Sequence, residues 1–120
     1  MRRELTNSEV SLLSRLLESD FPGRDEIAKQ VHSARVEPID ANGSLNFFVC
    51  NPTRVETKFR IPVEGEFEDV DGVTIHVLLH VVNGIVDELE VYKEDGSNVQ
   101  CIPEATQLRI FTPQGKSENL

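Results

Sequence analysis

Carboxylate side chains crowded into one segment are the residues of this chain most able to do chemistry or to recognise a charged partner. The 120-residue chain has a formal net charge of −9, and residues 64–96 account for all of it, with ten acids against one base, Lys93. Elsewhere acidic and basic side chains balance. Carboxylates act as acids or bases, bind cations and attract basic proteins. The ten acids are Glu64, Glu66, Glu68, Asp69, Asp71, Asp87, Glu88, Glu90, Glu94 and Asp95.

The spacing of these acids puts several of them on common strand faces. Glu64, Glu66 and Glu68 alternate with other residues and would share one face of a strand. Glu88 and Glu90 share a face in the same way. Like charges on one face repel, at a modest cost. Two interpretations follow: a solvated face that keeps the sheet from pairing with neighbours, or a face that steers and docks a basic partner.

The docking interpretation predicts a partner-binding surface of acidic residues that also includes Tyr92, the only tyrosine of the chain. Tyrosine is enriched at interface hot spots, although a half-buried core position would suit it equally well. We expect a basic protein partner, because an acidic surface disfavours nucleic acid and anionic membranes. The predicted contacts are Glu64, Glu66, Glu68, Asp69, Asp71, Glu88, Glu90 and Tyr92.

Two histidines, His76 and His80, would also share a strand face. Four residues of strand span ~13 Å, whereas zinc ligands lie ~2 Å from the metal, so the two rings cannot hold one ion. The spacing therefore predicts neither a metal site nor a cofactor. A histidine paired with a carboxylate leaves a small-molecule enzyme as an alternative, for which we expect a concave pocket. Residues 68–72 (EDVDG) lack the ligand pattern of a calcium loop and predict a tight turn.

The elements that must position these residues begin with two helices. Thr6 and Glu9 form a capping box, and leucines at helical spacing behind it predict a first helix over residues 7–19. Residues 21–23 (FPG) end it. A second helix is predicted over residues 24–33, with Asp25 and Glu26 in its first turn, where the helix dipole favours acids.

The period of the apolar residues then changes from helical to alternating. Strands are predicted over residues 36–39, 45–49, 54–63, 73–82, 85–93 and 108–112, with Asn83-Gly84 as the strongest turn signal. Residues 73–82 are apolar or neutral on both faces, which favours a central position in the sheet. The predicted fold is α+β, with two N-terminal helices packed on a mainly antiparallel sheet of about five to six strands.

Length and composition favour a single α+β domain over residues 1–113 and a flexible tail over residues 114–120. No segment approaches the ~20 apolar residues of a membrane-spanning helix. The N-terminus lacks the apolar core of a signal peptide, so we expect a cytoplasmic protein. Cys50 and Cys101 are interpreted as ordinary half-buried thiols rather than a disulfide.

Several strings of the chain resemble a family of small acidic bacterial proteins of unknown function. They are 21–26 (FPGRDE), 42–45 (NGSL), 62–66 (PVEGE), 68–72 (EDVDG), 77–81 (VLLHV) and 88–96 (ELEVYKEDG). The resemblance runs from about residue 3 to residue 112. The family is similar in size and acidity to immunity proteins found beside secreted bacterial toxins, which implies a protein that neutralises a toxin by binding it. The resemblance assigns no functional residues.

The favoured hypothesis is therefore a non-enzymatic protein-binding module, most specifically an immunity protein that neutralises a bacterial toxin through an acidic surface. One alternative is a self-associating structural or regulatory subunit, which predicts a stable homodimer with little salt sensitivity. The other is the small-molecule enzyme that uses His76 or His80 with a carboxylate. The docking hypothesis predicts a flat or convex acidic patch and binding that weakens steeply with salt.

Overall fold

The computed structural model describes residues 1–101 and 104–113 and has the predicted α+β architecture, with both helices at the N-terminus. A 3-10 helix, Ala105–Gln107, precedes the last strand. The predicted tail, 114–120, lies outside the described residues. The helices and strands are α1 Asn7–Leu16, α2 Arg24–Ser33, β1 Arg35–Pro38, β2 Leu45–Phe48, β3 Val63–Glu68, β4 Thr74–Val82, β5 Ile85–Lys93 and β6 Arg109–Phe111.

Helix α1 begins at the predicted capping box and ends three residues earlier than predicted. The Thr6 side chain accepts a hydrogen bond from the Glu9 N–H, and the Glu9 carboxylate accepts one from the Thr6 N–H. At the other end, the N–H groups of Glu18 and Ser19 each donate to the carbonyl three residues earlier in the chain. The Arg24 guanidinium donates to the Leu17 carbonyl at 3.0 Å. These tighter bonds end the α-helix before Ser19. No helix of the described residues is long and apolar enough to cross a membrane.

Helix α2 has the predicted bounds and carries a buried polar residue that the sequence did not single out. Gln30 is 3% exposed. Its side-chain oxygen accepts from the Val86 N–H at 2.8 Å, and its amide nitrogen donates to the carbonyls of Thr53 and Gly84. One side chain thereby connects the helix to strand β5, to the β4–β5 turn and to the segment before β3.

The six described strands form one antiparallel sheet in the order β1-β2-β5-β4-β3-β6. Strand β4 lies near the centre, as predicted. Its alternate residues Ile75, Val77 and Leu79 are fully buried and join the α1 and α2 side chains in a single core. The helices therefore cover one face of the sheet, and the other alternate residues of each strand point away from the core.

The predicted strand over residues 54–63 is wrong, because only Val63 belongs to a strand. The rest of the segment runs beside β4 and the β4–β5 turn, and isolated backbone hydrogen bonds hold it there. Val55 N–H donates to the Gly84 carbonyl, and Val81 N–H donates to the Arg60 carbonyl. A Cβ at position 84 would lie 2.4 Å from the Val55 oxygen, so this approach requires glycine. Contact with the turn, rather than strand pairing, determines the path of the segment.

A β-bulge in the β4–β5 hairpin decides which residues of β5 face the core. Asn83 and Gly84 form the two-residue turn with positive φ, and Val81 lies opposite Val86. In unbroken register His80 would then lie opposite Asp87. The register shifts by one residue between His80 and Val81, and His80 lies opposite Glu88 instead. This shift turns Leu89 and Val91 inward and Glu88 and Glu90 outward.

Both cysteines are exposed, so the expectation of half-buried thiols is wrong. Cys50 lies two residues after the end of β2, and Cys101 lies after β5, and neither belongs to a helix or strand. Neither position is packed into the core described above, because irregular segments at the surface carry both residues.

Candidate functional site

The candidate site is the sheet face that the helices leave uncovered, called here the open face. Cross-strand register places Glu64, Leu78 and Glu90 in one row. The next row holds Glu66, His76 and Tyr92, and His80 lies opposite Glu88. The structure thus brings together six of the eight residues predicted to bind a partner, from two strands that flank β4. They are Glu64, Glu66, Glu68, Glu88, Glu90 and Tyr92.

Tyr92 lies on the open face near the end of β5 and stacks on a neighbouring side chain. Its ring stacks on His76 with centroids 4.9 Å apart and planes inclined by 19°. The residue is nevertheless 39% exposed, so one side of the ring is available to another molecule. Partial burial, with the charges of Glu90, Glu64 and Glu94, raises the pKa of Tyr92. The phenol therefore stays neutral in an acidic surrounding.

His76 lies between two carboxylates that approach opposite edges of its ring. Glu66 is 3.8 Å from Nδ1, and Glu94 is 3.2 Å from Nε2. Because these oxygens approach different ring nitrogens, they do not converge on one point. This arrangement orients the imidazole beneath Tyr92.

Arg109 on edge strand β6 offsets part of the acidity of strand β3. Its guanidinium lies 2.9 Å from a Glu68 oxygen and 3.2 Å from a Glu66 oxygen. Hydrogen bonding to Arg109 lowers the pKa of Glu68, and both glutamates raise the pKa of Arg109. The β5 side of the open face, with Glu88, Glu90 and Tyr92, therefore keeps more of its acidic potential than the β3 side.

His80 is the most buried polar residue of the open face, with a side chain 11% exposed. Arg60 Nε donates to His80 Nδ1 at 3.1 Å. Because arginine only donates, Nδ1 accepts and the neutral ring carries its proton on Nε2. That nitrogen lies 2.8 Å from Glu90 Oε1 and donates to it. Arg60, His80 and Glu90 thus form a directed hydrogen-bond chain.

Asp69 and Asp71, the other two predicted contacts, lie away from the open face in a cluster with Lys93, called here the lysine corner. Lys93 Nζ is 3.1 Å from Asp69 and also bonds Asp71. The side chains of Lys93 and Asp69 are both 0% exposed, so Asp69 presents no surface to a partner. Asp71 is partly exposed. The cluster lies at the β3–β4 turn. There the Gly72 N–H donates to the Asp69 carbonyl, and this hydrogen bond confirms the predicted tight turn.

The charges of the lysine corner stabilise one another. The bond from Asp71, reinforced by Asp69 and opposed by burial, raises the pKa of Lys93. Lys93 is also the main cause that lowers the pKa of Asp71. Burial acts to raise the pKa of Asp69, but the N–H groups of Gln100 and Val70 together with Lys93 outweigh it and lower that pKa.

A groove lies at the end of the sheet, beside residues 55–60 and the β4–β5 turn. Its volume is about 800 Å³, and Phe59, Arg60 and Val82 are among its lining residues. Neither His76 nor His80 lines it. The open face that holds these histidines is part of a sheet surface rather than of this groove.

Sequence reasoning missed the contact of His80 with Glu88 and Glu90. The turn alone would pair His80 with Asp87. The signal that reveals the bulge is the apolar pattern, because Leu89 and Val91 can join the core with Val77 and Leu79 only if the register shifts by one residue.

The chain belongs to the family described as "Domain of unknown function (DUF6984)", whose model matches residues 2–103. Comparison with curated proteins gives no significant match, and comparison with solved structures gives none either. The match agrees with the resemblance to a family of unknown function in that respect alone, and the family's description names no activity.

Proposed function

We propose that this chain is a non-enzymatic binding module whose open face docks a basic protein in the cytoplasm. The observation that carries the proposal is Tyr92: an exposed ring fixed by stacking on His76, with carboxylates around it. A partner's arginine or lysine can stack on such a ring and pair with the neighbouring acids. Tyrosine is enriched among interface hot spots, and the rim of an interface is polar.

The β5 side of the open face supports this proposal better than the β3 side. Glu66 and Glu68 already bond the guanidinium of Arg109. Glu88 and Glu90 lie on β5, the strand of Tyr92, and Glu90 bonds the imidazole of His80. We therefore place the centre of the docking surface at Tyr92, Glu90 and Glu88, with Glu64 across β4. Asp69 is omitted from the contacts because it is buried.

The most specific form of the proposal is an immunity protein that neutralises a toxin. Toxins that cleave nucleic acid present basic surfaces to a polyanionic substrate, and an acidic face would compete for the same surface. Inhibition would then require no chemistry by this chain, only occupation of the substrate site.

The test begins with capture of partners from lysate of the protein's own host at low salt, followed by identification, purification and calorimetric titration of the partner. Two variants are compared: Glu64→Gln/Glu88→Gln/Glu90→Gln on the open face, and Glu4→Gln/Asp20→Asn/Glu104→Gln, which removes equal charge from exposed positions elsewhere. We expect the open-face variant to weaken binding by on the order of tenfold or more, and Tyr92→Ala by a similar factor. The control should bind like the wild type.

Binding that is equal in all variants, or that is lost in the control, would refute docking through the open face. A stable homodimer in sedimentation that is insensitive to salt would instead favour the self-associating subunit. If the partner cleaves nucleic acid, addition of this chain should inhibit cleavage in proportion to binding. Binding without inhibition would contradict the immunity proposal and leave only the docking proposal.

A further inference from the structure

His80, Glu88 and Glu90 form a group of metal-ligand side chains on the open face, and Glu88 and Glu90 also belong to the proposed docking surface. One ligand atom from each residue lies within 4.8 Å of the other two. Ligands ~2 Å from a tetrahedral zinc ion lie roughly 3.3 Å apart, so rotation of the two flexible glutamates closes the remaining distance. We infer that these three side chains bind a divalent transition ion of the zinc type, with the fourth position left to water.

The donor types favour this class of metal. One imidazole nitrogen and two carboxylate oxygens suit zinc, manganese or cobalt better than calcium, which takes six or more oxygen ligands. His80 is nearly buried on the central strand β4, and the bulge places the backbone of Glu88 opposite it. Glu90 follows two residues later on β5, so all three side chains project from strands rather than from a mobile loop.

The other histidine of the open face shows why the arrangement matters. His76 also has two carboxylates nearby, but Glu66 approaches Nδ1 and Glu94 approaches Nε2. Those oxygens lie on opposite edges of the ring and cannot meet at one ion. Only the His80 group among the described residues brings three such ligand atoms together, so His76 provides a matched control.

Arg60 competes with the metal in this arrangement. It donates to His80 Nδ1, which leaves the ring proton on Nε2, facing Glu90. For an ion to bind Nε2, that proton moves to Nδ1, and no proton leaves the neutral ring. Nδ1–H and the Arg60 N–H are then both donors, so the guanidinium must swing away. The Arg60 backbone can stay, since its carbonyl remains bonded to Val81 N–H.

Zinc titration of the isolated chain tests the inference without any protein partner, so its outcome is independent of the docking proposal. A Cys50→Ser/Cys101→Ser background removes the exposed thiols as competing ligands. His80→Ala and Glu88→Gln should each weaken zinc binding by roughly 100-fold or more, because each removes a direct ligand. His76→Ala should leave the affinity within about twofold, since His76 is not a ligand.

Arg60→Met is the most discriminating of these variants, because it removes the cation that competes with the metal and removes no ligand. We expect zinc affinity to rise on the order of tenfold. Cobalt in place of zinc should give the visible absorption of a tetrahedral site in the wild type and not in Glu88→Gln. Circular dichroism verifies that each variant is folded.

Absence of zinc binding by the folded wild type would overturn the inference. Equal binding by wild type, His80→Ala and Glu88→Gln would overturn it as well, because the ion would then lie elsewhere. A fall in affinity in Arg60→Met would contradict the competition between arginine and metal.

Discussion

The open face and the lysine corner use acids from one short stretch of chain in opposite ways. In the lysine corner, the only base of residues 64–96 is buried with Asp69 and bonds Asp71. On the open face, five glutamates of the same stretch lie outward on β3 and β5. The comparison teaches that an acidic run is not one functional unit. Part of it completes the fold, and the remainder stays available for recognition.

The comparison is tested most severely by Lys93→Met. The substitution leaves Asp69 buried without its cation, and breaking a buried ion pair from one side is strongly destabilising. We expect the midpoint of thermal unfolding, measured by circular dichroism, to fall by more than ~10 °C. Lys29→Met, on the exposed side of α2, should change it little.

A Lys93→Met variant that melts like Lys29→Met would show that the lysine corner adds nothing to stability. The variant Asp69→Asn/Asp71→Asn/Lys93→Met refines the comparison, because removing all three charges leaves no unpaired ion. It should recover part of the loss.

Acid should weaken the lysine corner by removing the charges of its two aspartates. The pKa values of Asp69 and Asp71 are lowered by folding, so their contribution is complete above the unfolded value near ~3.9 and is lost as the pH falls through the folded values. Lys93 has a raised pKa, and its contribution is lost only at strongly alkaline pH. Urea unfolding between about pH 5 and pH 2 should show a steeper loss of stability in the wild type than in Lys93→Met. Parallel curves would contradict this assignment.

Removal of charge from the open face should have a smaller effect of the opposite sign. Glu64→Gln/Glu88→Gln removes two of the like charges that lie on one face. At low salt it should raise the free energy of unfolding by no more than about 0.5 kcal/mol per site. Denaturant unfolding at low ionic strength measures this. A loss of 2 kcal/mol or more, large for a partly exposed site, would mean that these glutamates stabilise the fold as the lysine corner does.

Salt should produce the smallest difference. Screening within ~3 Å at 1 M salt weakens repulsion between exposed glutamates but barely affects a buried pair. The wild type should therefore gain slightly more thermal stability from added sodium chloride than Glu64→Gln/Glu88→Gln gains. Equal responses would indicate that repulsion on the open face is already negligible.

The elements with strong local signals could be predicted from the sequence. The capping box at Thr6, the Asn83-Gly84 turn and the apolar alternation of β4 each depend on nearby residues, and the helices, the hairpin and the α+β class follow from them. Residues 54–63 show that alternation is insufficient, because a strand also needs a neighbour in register. There the β4–β5 turn supplied other partners.

The candidate site was only partly predictable because its faces depend on long-range pairing. Alternation predicted that Glu64, Glu66 and Glu68 share a face, and they do. The burial of Asp69 depends on Lys93, 24 positions away in the sequence, and no local pattern reveals that contact. The group around His80 depends on one extra residue in β5.

The three hydrogen bonds of Gln30 have a consequence for how the molecule opens. Because one amide holds Val86 N–H, the Gly84 carbonyl and the Thr53 carbonyl, α2 cannot separate from the sheet without also releasing the β4–β5 turn and the segment before β3. Regions distant in sequence are thereby merged into a single cooperative unit. The backbone amides of Val86 and Val55 should then show the same protection from deuterium exchange, relative to their intrinsic exchange rates, although Val55 lies in an irregular segment.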